Sequence, residues 1–141
     1  MRRAAQVATI GFAALMVFQA ALAAGAPLGD AAWGGAHAHL TTAERVGSAV
    51  SVLVSLLAIL VVRRRAAGRQ ERRYRWGTWV FVVVFGMSAL MNAASESRWE
   101  SLLLAPIAGA LAALCVVVAR GATGVPPRER GARPTLVRPT Q

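Results

Sequence analysis

Residues 46–62 read VGSAVSVLVSLLAILVV, and residues 63–75 follow at once as RRRAAGRQERRYR. The first stretch holds no charged residue, and its length is close to the roughly 20 helical residues that cross a hydrocarbon core about 30 Å thick. The second stretch holds seven arginines. An apolar run that ends abruptly in arginines is typical of a transmembrane helix that leaves the membrane on its basic side. We therefore predict a membrane span here.

Three further apolar stretches have a similar length and composition. Together the four predict helices at about residues 4–24, 41–62, 76–94 and 102–119. The second helix is expected to begin before its apolar run because Thr41 and Glu44 have the S/T-x-x-E spacing of a capping box. Pro106 is expected in the first turn of the fourth helix, where a missing backbone N–H costs little. The connections are too short to hold another core, so residues 1–120 are predicted to form one all-α, four-transmembrane-helix bundle.

The composition also favours a membrane protein. Of the 141 residues, 56% are hydrophobic and only 16% are charged, whereas about 25% charged residues are usual in soluble domains. The mean hydropathy is +0.50. The net charge is +10, and all sixteen basic residues are arginines. Because these arginines lie between apolar runs, we expect them to meet anionic lipid headgroups at the cytoplasmic face and not nucleic acid.

The distribution of arginine predicts the orientation in the membrane. Fourteen arginines lie in the N-terminal residues, the 63–75 loop and the segment after residue 119, whereas only Arg45 and Arg98 lie in the other two connections. By the positive-inside rule both termini are cytoplasmic. Residues 121–141, rich in arginine and proline, are predicted to form a disordered basic tail. An alanine-rich, lysine-free composition suits a GC-rich bacterial genome, so we expect a multi-pass protein of the bacterial cytoplasmic (inner) membrane.

The first segment has an alternative interpretation. Met1-Arg2-Arg3, an apolar stretch and Ala21-Leu22-Ala23 together resemble a secretory signal peptide with an A-x-A cleavage site. Cleavage would leave three helices. The apolar stretch is longer than the usual apolar region of about 7–15 residues, so we prefer retention of this helix.

The four segments carry no ionisable residue at mid-depth, where transporters and proton pumps commonly have one. Charged residues near the outer ends of the helices, Glu100 among them, are expected at the membrane surface. Rows of small residues are expected to form helix-packing faces, within the chain or in a homo- or hetero-oligomer. These rows are Ser48, Ser51 and Ser55 in the second helix and Ala105, Gly109 and Ala113 in the fourth.

Catalytic and metal-binding motifs are missing from the sequence. The single cysteine, Cys115, excludes an internal disulfide and a CxxC pair. His37 and His39 alone are too few ligands for a metal site. No nucleophile elbow, zinc motif or Walker loop is present. We therefore expect no enzymatic activity, no metal and no cofactor.

The two outer loops contain the candidate recognition site. The first reads GAPLGDAAWGG at residues 25–35, and the second reads MNAASESRWE at residues 91–100. Because unpaired polar groups beside hydrocarbon are costly, we expect the loops to dock as one polar cap. Arg98 is expected to pair with an outer-loop carboxylate, and Asn92 to bond to backbone of the first loop. The candidate recognition residues are Asp30, Trp33, Asn92, Glu96, Arg98 and Glu100.

These loops resemble those of a group of small, functionally uncharacterised four-helix integral membrane proteins common in actinobacteria. The matching pieces are G-A-P-L-G and W-G-G in the first loop, Arg45 and Ser48 after it, and M-N followed by S-x-S-x-x-E and P between Met91 and Pro106. The resemblance spans most of residues 24–110 and implies a retained first helix, but no particular activity. We expect a non-enzymatic structural or accessory membrane protein; the alternative is a small-molecule transporter or binder that uses the outer cap.

Overall fold

The computed structural model of the chain describes residues 2–35, 38–69 and 71–121. These residues form helices and turns without a β-strand, which confirms the all-α prediction for this part of the chain. The long helices are α1 (Arg2–Ala24), α2 (Thr42–Ala66), α3 (Arg72–Ala93) and α4 (Ala105–Arg120), and a π-helical turn (Glu100–Leu104) leads directly into α4. With this turn included, all four are long and apolar enough to cross a membrane. Apart from Gly121, the predicted tail lies outside the described residues.

The four helices run alternately up and down and form a closed bundle. α1 packs most extensively on α2, and α3 on α4, while contacts of α1 with α4 and of α2 with α3 complete the ring. We call the end that carries residues 25–35, 38–41 and 94–99 the cap end. The opposite end, where α1 and α3 begin and α2 and α4 finish, is called the arginine end.

An aromatic cluster joins α1 to α3 in the middle of the bundle. Phe12 is fully buried, and its ring centroid lies 4.8 Å from that of Phe85. Ala8 and Ala58 are also fully buried, and such small side chains let neighbouring helix backbones approach closely. The outward-facing residues of all four helices are large and apolar, as expected for surfaces that meet lipid.

At the arginine end, the helices extend beyond the apolar runs. α2 continues through residues 63–65 to Ala66, and α3 begins at Arg72, whereas the sequence predicts an end at 62 and a start at 76. Arg65, expected at the membrane surface, is only 2% exposed. Its Nη2 donates to the carbonyl oxygen of Ala119 at 3.4 Å, where α4 has unpaired carbonyl groups that favour a cation. This contact explains why the helical conformation continues past the apolar residues.

At the cap end, the start of α2 follows the prediction and the start of the fourth span differs. Thr41 and Glu44 form the predicted capping box, in which Thr41 N–H donates to Glu44 Oε2 at 2.7 Å. The fourth span begins at Glu100 and not at 102. Its first turn is π-helical, with Ala105 N–H donating to the carbonyl oxygen of Glu100. Pro106 follows this turn, at the start of the α-helical part of the span, and so lies in the second turn of the span and not in its first turn as predicted.

Candidate functional site

The first outer loop folds into two short 3₁₀ turns, Gly29–Ala31 and Trp33–Gly35. The N–H of Gly29 donates to the carbonyl oxygen of Ala38 at 2.9 Å, which ties the two sides of the loop together. Trp33 has a φ of 55°, in the left-handed region that bulky residues rarely adopt. The surrounding contacts must therefore hold this residue in place.

Trp33 is held by the beginning of α2. Its Nε1–H donates to Ser48 Oγ at 3.0 Å, and Ser48 is fully buried. The indole ring lies against Gly47, where an added Cβ would overlap it. The first serine of the row in α2 therefore anchors the loop to the helix.

The two outer loops dock against each other, as the sequence predicts. The hydroxyl of Ser97 donates to the carbonyl oxygen of Asp30 at 2.9 Å. Gly35, with a φ of 70°, lies so close to the second loop that a Cβ on it would be 3.1 Å from Ser97 Cβ and 2.9 Å from the Asp30 carbonyl oxygen. We call the docked loops, residues 25–35, 38–41 and 94–99, the cap.

Glu100 connects the cap to the helices. Its Oε2 accepts hydrogen bonds from the N–H of Gly34 at 3.1 Å and from the hydroxyl of Ser95. The carboxylate thus bonds to both loops. Its side chain was expected at the membrane surface, but Glu100 is only 7% exposed, because the π-helical turn and the first loop cover it.

A cavity of about 310 Å³ lies beneath the cap, between all four helices. Ligand pockets usually have volumes of about 300–1,000 Å³, so this one suits a small molecule. Leu15, Val54 and Phe85 supply apolar surface, and Trp33 supplies part of the wall at the cap end. The polar side chains of the lining are Gln19, Ser51, Ser55, Ser88, Asn92 and Glu100.

One hydrogen-bond acceptor of this lining is buried without a donor among the described residues. Gln19 Oε1 is buried without a hydrogen-bond partner, whereas the hydrogen bonds that Glu100 accepts from described residues both reach its Oε2. The hydroxyl of Ser51 is used within its own helix, where it donates to the carbonyl oxygen of Gly47 at 3.0 Å. Because an unpaired buried polar group costs about 1–3 kcal/mol, the cavity favours an occupant that donates hydrogen bonds.

The structure separates the six predicted site residues into two groups. Trp33, Asn92 and Glu100 line the cavity. Asp30 contributes its backbone carbonyl to the docking of the loops, while Glu96 and Arg98 are exposed on the surface of the cap. The candidate site therefore lies inside the bundle and not on the outer surface of the loops.

Two predicted contacts of the cap are wrong for the part of the chain that the structure describes. Arg98 forms no ion pair there; the ion pairs found join Glu71 to Arg69 and to Arg73. The side chain of Asn92 makes no hydrogen bond to the first loop. An exposed guanidinium is solvated by water and needs no carboxylate, and the loops are held together by serine hydroxyls and Glu100 instead.

Gln19 and Ser88 line the cavity but are not among the residues that the sequence predicts for the site. A usable signal was the spacing of four residues, which places two side chains on one face of a helix. Gln19 follows Leu15 at this spacing, and Asn92 follows Ser88. The same spacing relates Ser51 and Ser55 in α2.

Comparison of the chain with models of known protein families, with curated proteins and with solved structures found no match. Within residues 2–35, 38–69 and 71–121, no group of three or more His, Cys, Asp or Glu side chains could hold a metal ion.

Proposed function

We propose that the chain is a multi-pass protein of a bacterial cytoplasmic membrane that binds a small organic cation in the cavity beneath the cap. The observation that carries this proposal is a cavity of about 310 Å³ whose lining contains a buried acceptor without a donor among the described residues, Gln19 Oε1, and one carboxylate, that of Glu100. The proposal is a binding function and includes no catalytic step. The resemblance of the loops to small actinobacterial four-helix membrane proteins supports the cellular setting.

The orientation in this proposal places the cap outside the cell. Arginines concentrate at the arginine end of the bundle, and the positive-inside rule assigns such an end to the cytoplasm. A molecule from outside would then reach the cavity through or beside the cap. Since α1 supplies Leu15 and Gln19 to the lining, the proposal also requires that the first helix is retained.

A cation is favoured over a neutral or anionic ligand by the charge of the lining. Glu100 is the one acidic side chain of the lining, and no arginine contributes to it. The faces of Trp33 and Phe85, both in the lining, can attract a cation through their π-electrons. A ligand with an ammonium or guanidinium group would supply a donor for Gln19 Oε1 and a positive charge for the carboxylate of Glu100.

The structural or accessory role expected from the sequence is the alternative. The absence of ionisable residues at mid-depth favours it, and one form of it is assembly with other chains through the rows of small residues. Ser48 and Ser55 are buried within this chain, and a Cβ on Gly109 would lie 3.9 Å from Ala89 of α3. These residues are used for packing inside the bundle, which is why we prefer the binding function.

The test is a titration of the purified full chain, in detergent micelles, with tetramethylammonium, choline and guanidinium. Neutral and anionic compounds of matched size serve as controls. A bound ligand raises stability by about 2.7 kcal/mol at a concentration 100 times its dissociation constant, so thermal unfolding reports binding. We expect stabilisation by at least one cation and by none of the matched anions.

Glu100→Gln and Glu96→Gln form a matched pair for this titration, because each removes one negative charge from the cap end. The glutamine at 100 keeps an oxygen that can accept from Gly34 and Ser95, so the fold is retained. We expect the cation response to be lost in Glu100→Gln and unchanged in Glu96→Gln. An equal response of both variants, or no response of the folded wild-type chain, would contradict the binding function and favour the structural role.

A further inference from the structure

A second concave surface lies at the arginine end, between the first turns of α1 and the last turns of α2. It is a groove of about 1010 Å³, at the opposite end of the bundle from the cavity beneath the cap. Its charged lining consists of Arg2, Arg3 and Arg63. Two helices therefore bring three guanidinium groups to one groove.

The positive charge of this groove is not balanced by acidic side chains. Arg2, Arg3 and Arg63 form no ion pair with any described residue. Glu71, in the neighbouring connection, is paired with Arg69 and Arg73. The first turn of α1 contains no acidic residue, and the backbone N–H groups at a helix N-terminus add partial positive charge. The groove therefore attracts an anion.

The groove continues from these arginines onto the apolar face of α1. Val7 and Ile10, which follow one and two turns after Arg3, both line it, and they are 55% and 69% exposed. The hydroxyl of Thr9 donates to the carbonyl oxygen of Ala5 at 2.7 Å, so it is occupied within the helix. One end of the groove is thus cationic, and the other presents hydrocarbon.

We propose that this groove binds one anionic phospholipid, with its phosphate on Arg2, Arg3 and Arg63 and an acyl chain along Val7 and Ile10. A phosphate accepts several charge-assisted hydrogen bonds from guanidinium groups. A free phosphate ion would leave the apolar part of the groove uncovered, whereas a phospholipid matches both parts. The site is independent of the cavity beneath the cap and of its ligand.

The experiment measures lipid retention by native mass spectrometry of the full chain, released from micelles that contain equal amounts of phosphatidylglycerol and phosphatidylcholine with the same acyl chains. The expected result is one retained phosphatidylglycerol per chain, in clear excess over phosphatidylcholine. The test variant is Arg3→Gln with Arg63→Gln. The control variant is Arg64→Gln with Arg72→Gln, which removes the same charge at the same end, from exposed arginines outside the groove.

Near an anionic lipid surface, one arginine contributes about a fivefold change in binding. This diffuse attraction is common to both variants, and only the test variant also loses two direct charge-assisted contacts with the phosphate, so we expect it to lose at least about tenfold more retention than the control variant. Equal losses would show diffuse attraction to the micelle and overturn the site. Displacement of the lipid by millimolar inorganic phosphate would show a free-anion site and also overturn the proposal. Thermal unfolding and circular dichroism verify that both variants are folded, and the double lysine variant at 3 and 63 should restore retention.

Discussion

The contact between Trp33 and Gly47 fixes the position of the first outer loop on α2. The indole occupies the space that any side chain at position 47 would need, and its N–H reaches Ser48. The left-handed backbone of Trp33 stores strain that these two contacts offset. A residue without a side chain is thus required in the first turns of α2, for a reason that concerns the loop and not the helix.

Gly47→Ala is expected to destabilise the protein by about 1–3 kcal/mol, because the added methyl group displaces the indole from a tightly packed position. Gly86→Ala is the matched control, since a Cβ at position 86 in α3 would meet nothing within 4 Å. Alanine is the better helix former, so this control is expected to be neutral or stabilising by up to about 1 kcal/mol. Thermal unfolding in detergent and the emission maximum of the tryptophans measure both effects. A control that loses as much stability as Gly47→Ala would refute the account of Trp33.

The position of Glu100 in the fourth span could be predicted from the sequence, but its burial could not. Its place at the start of the fourth span follows from the apolar run after it. The burial of its side chain does not follow from the sequence. It depends on the π-helical turn and on the contact with Gly34, which lies in a loop 66 residues earlier in the chain. The prediction that charged residues near the outer helix ends lie at the surface holds for Glu96 and Arg98 and fails for Glu100, whose oxygen has protein donors.

Among the helices, α1 is the one whose sequence has two interpretations, because it resembles a signal peptide as well as a membrane-spanning helix. In the folded chain it supplies Phe12 to the aromatic cluster and Leu15 and Gln19 to the cavity. Loss of α1 would expose Phe85 and open one wall of the cavity. These contacts are the reason why we expect the first helix to be retained.

The intact mass of the purified protein is therefore expected to correspond to a chain that begins at or near Met1. The measurement is mass spectrometry of protein expressed with a C-terminal tag in a bacterial membrane. The Ala23→Leu variant, which removes the A-x-A pattern, should give the same N-terminus. A mass that corresponds to a chain beginning at Ala24 would leave three helices and remove Gln19 from the site.

The number and approximate position of the four helices could be predicted because each requires a long uncharged run. The positions at which the helices begin and finish at the arginine end could not be predicted. Arg65 is buried there by a contact with the end of α4, and no local sequence pattern indicates that contact. The start of α2 was predictable because its capping box is local, formed by Thr41 and Glu44. Local interactions were thus readable from the sequence, whereas contacts between distant segments, apart from the general docking of the two outer loops, were not.

At the scale of the whole molecule, the bundle has two chemically different ends. The cap end closes a polar cavity that contains one carboxylate, and the arginine end presents a groove with three arginines. The docking of the two outer loops could be predicted from the sequence, because both loops contain polar residues. The cavity itself arises only from the assembly of all four helices, since its polar side chains come singly or in pairs from α1, α2, α3 and the π-helical turn before α4.

The most direct test of the account is the access of water-soluble thiol reagents to the cavity from outside intact cells. Ser51→Cys places a thiol in the cavity lining, and Leu53→Cys places one on the exposed face of the same helix; both carry Cys115→Ala, so that the introduced thiol is the single one in the chain. A thiol reacts as the thiolate, which requires water. We predict that a membrane-impermeant cationic reagent modifies the cysteine at 51 faster than an anionic reagent of the same size, and that neither modifies the cysteine at 53. A folded protein whose residue 51 is unreactive from outside, or reacts equally with both reagents, would contradict an outward-facing cation site beneath the cap.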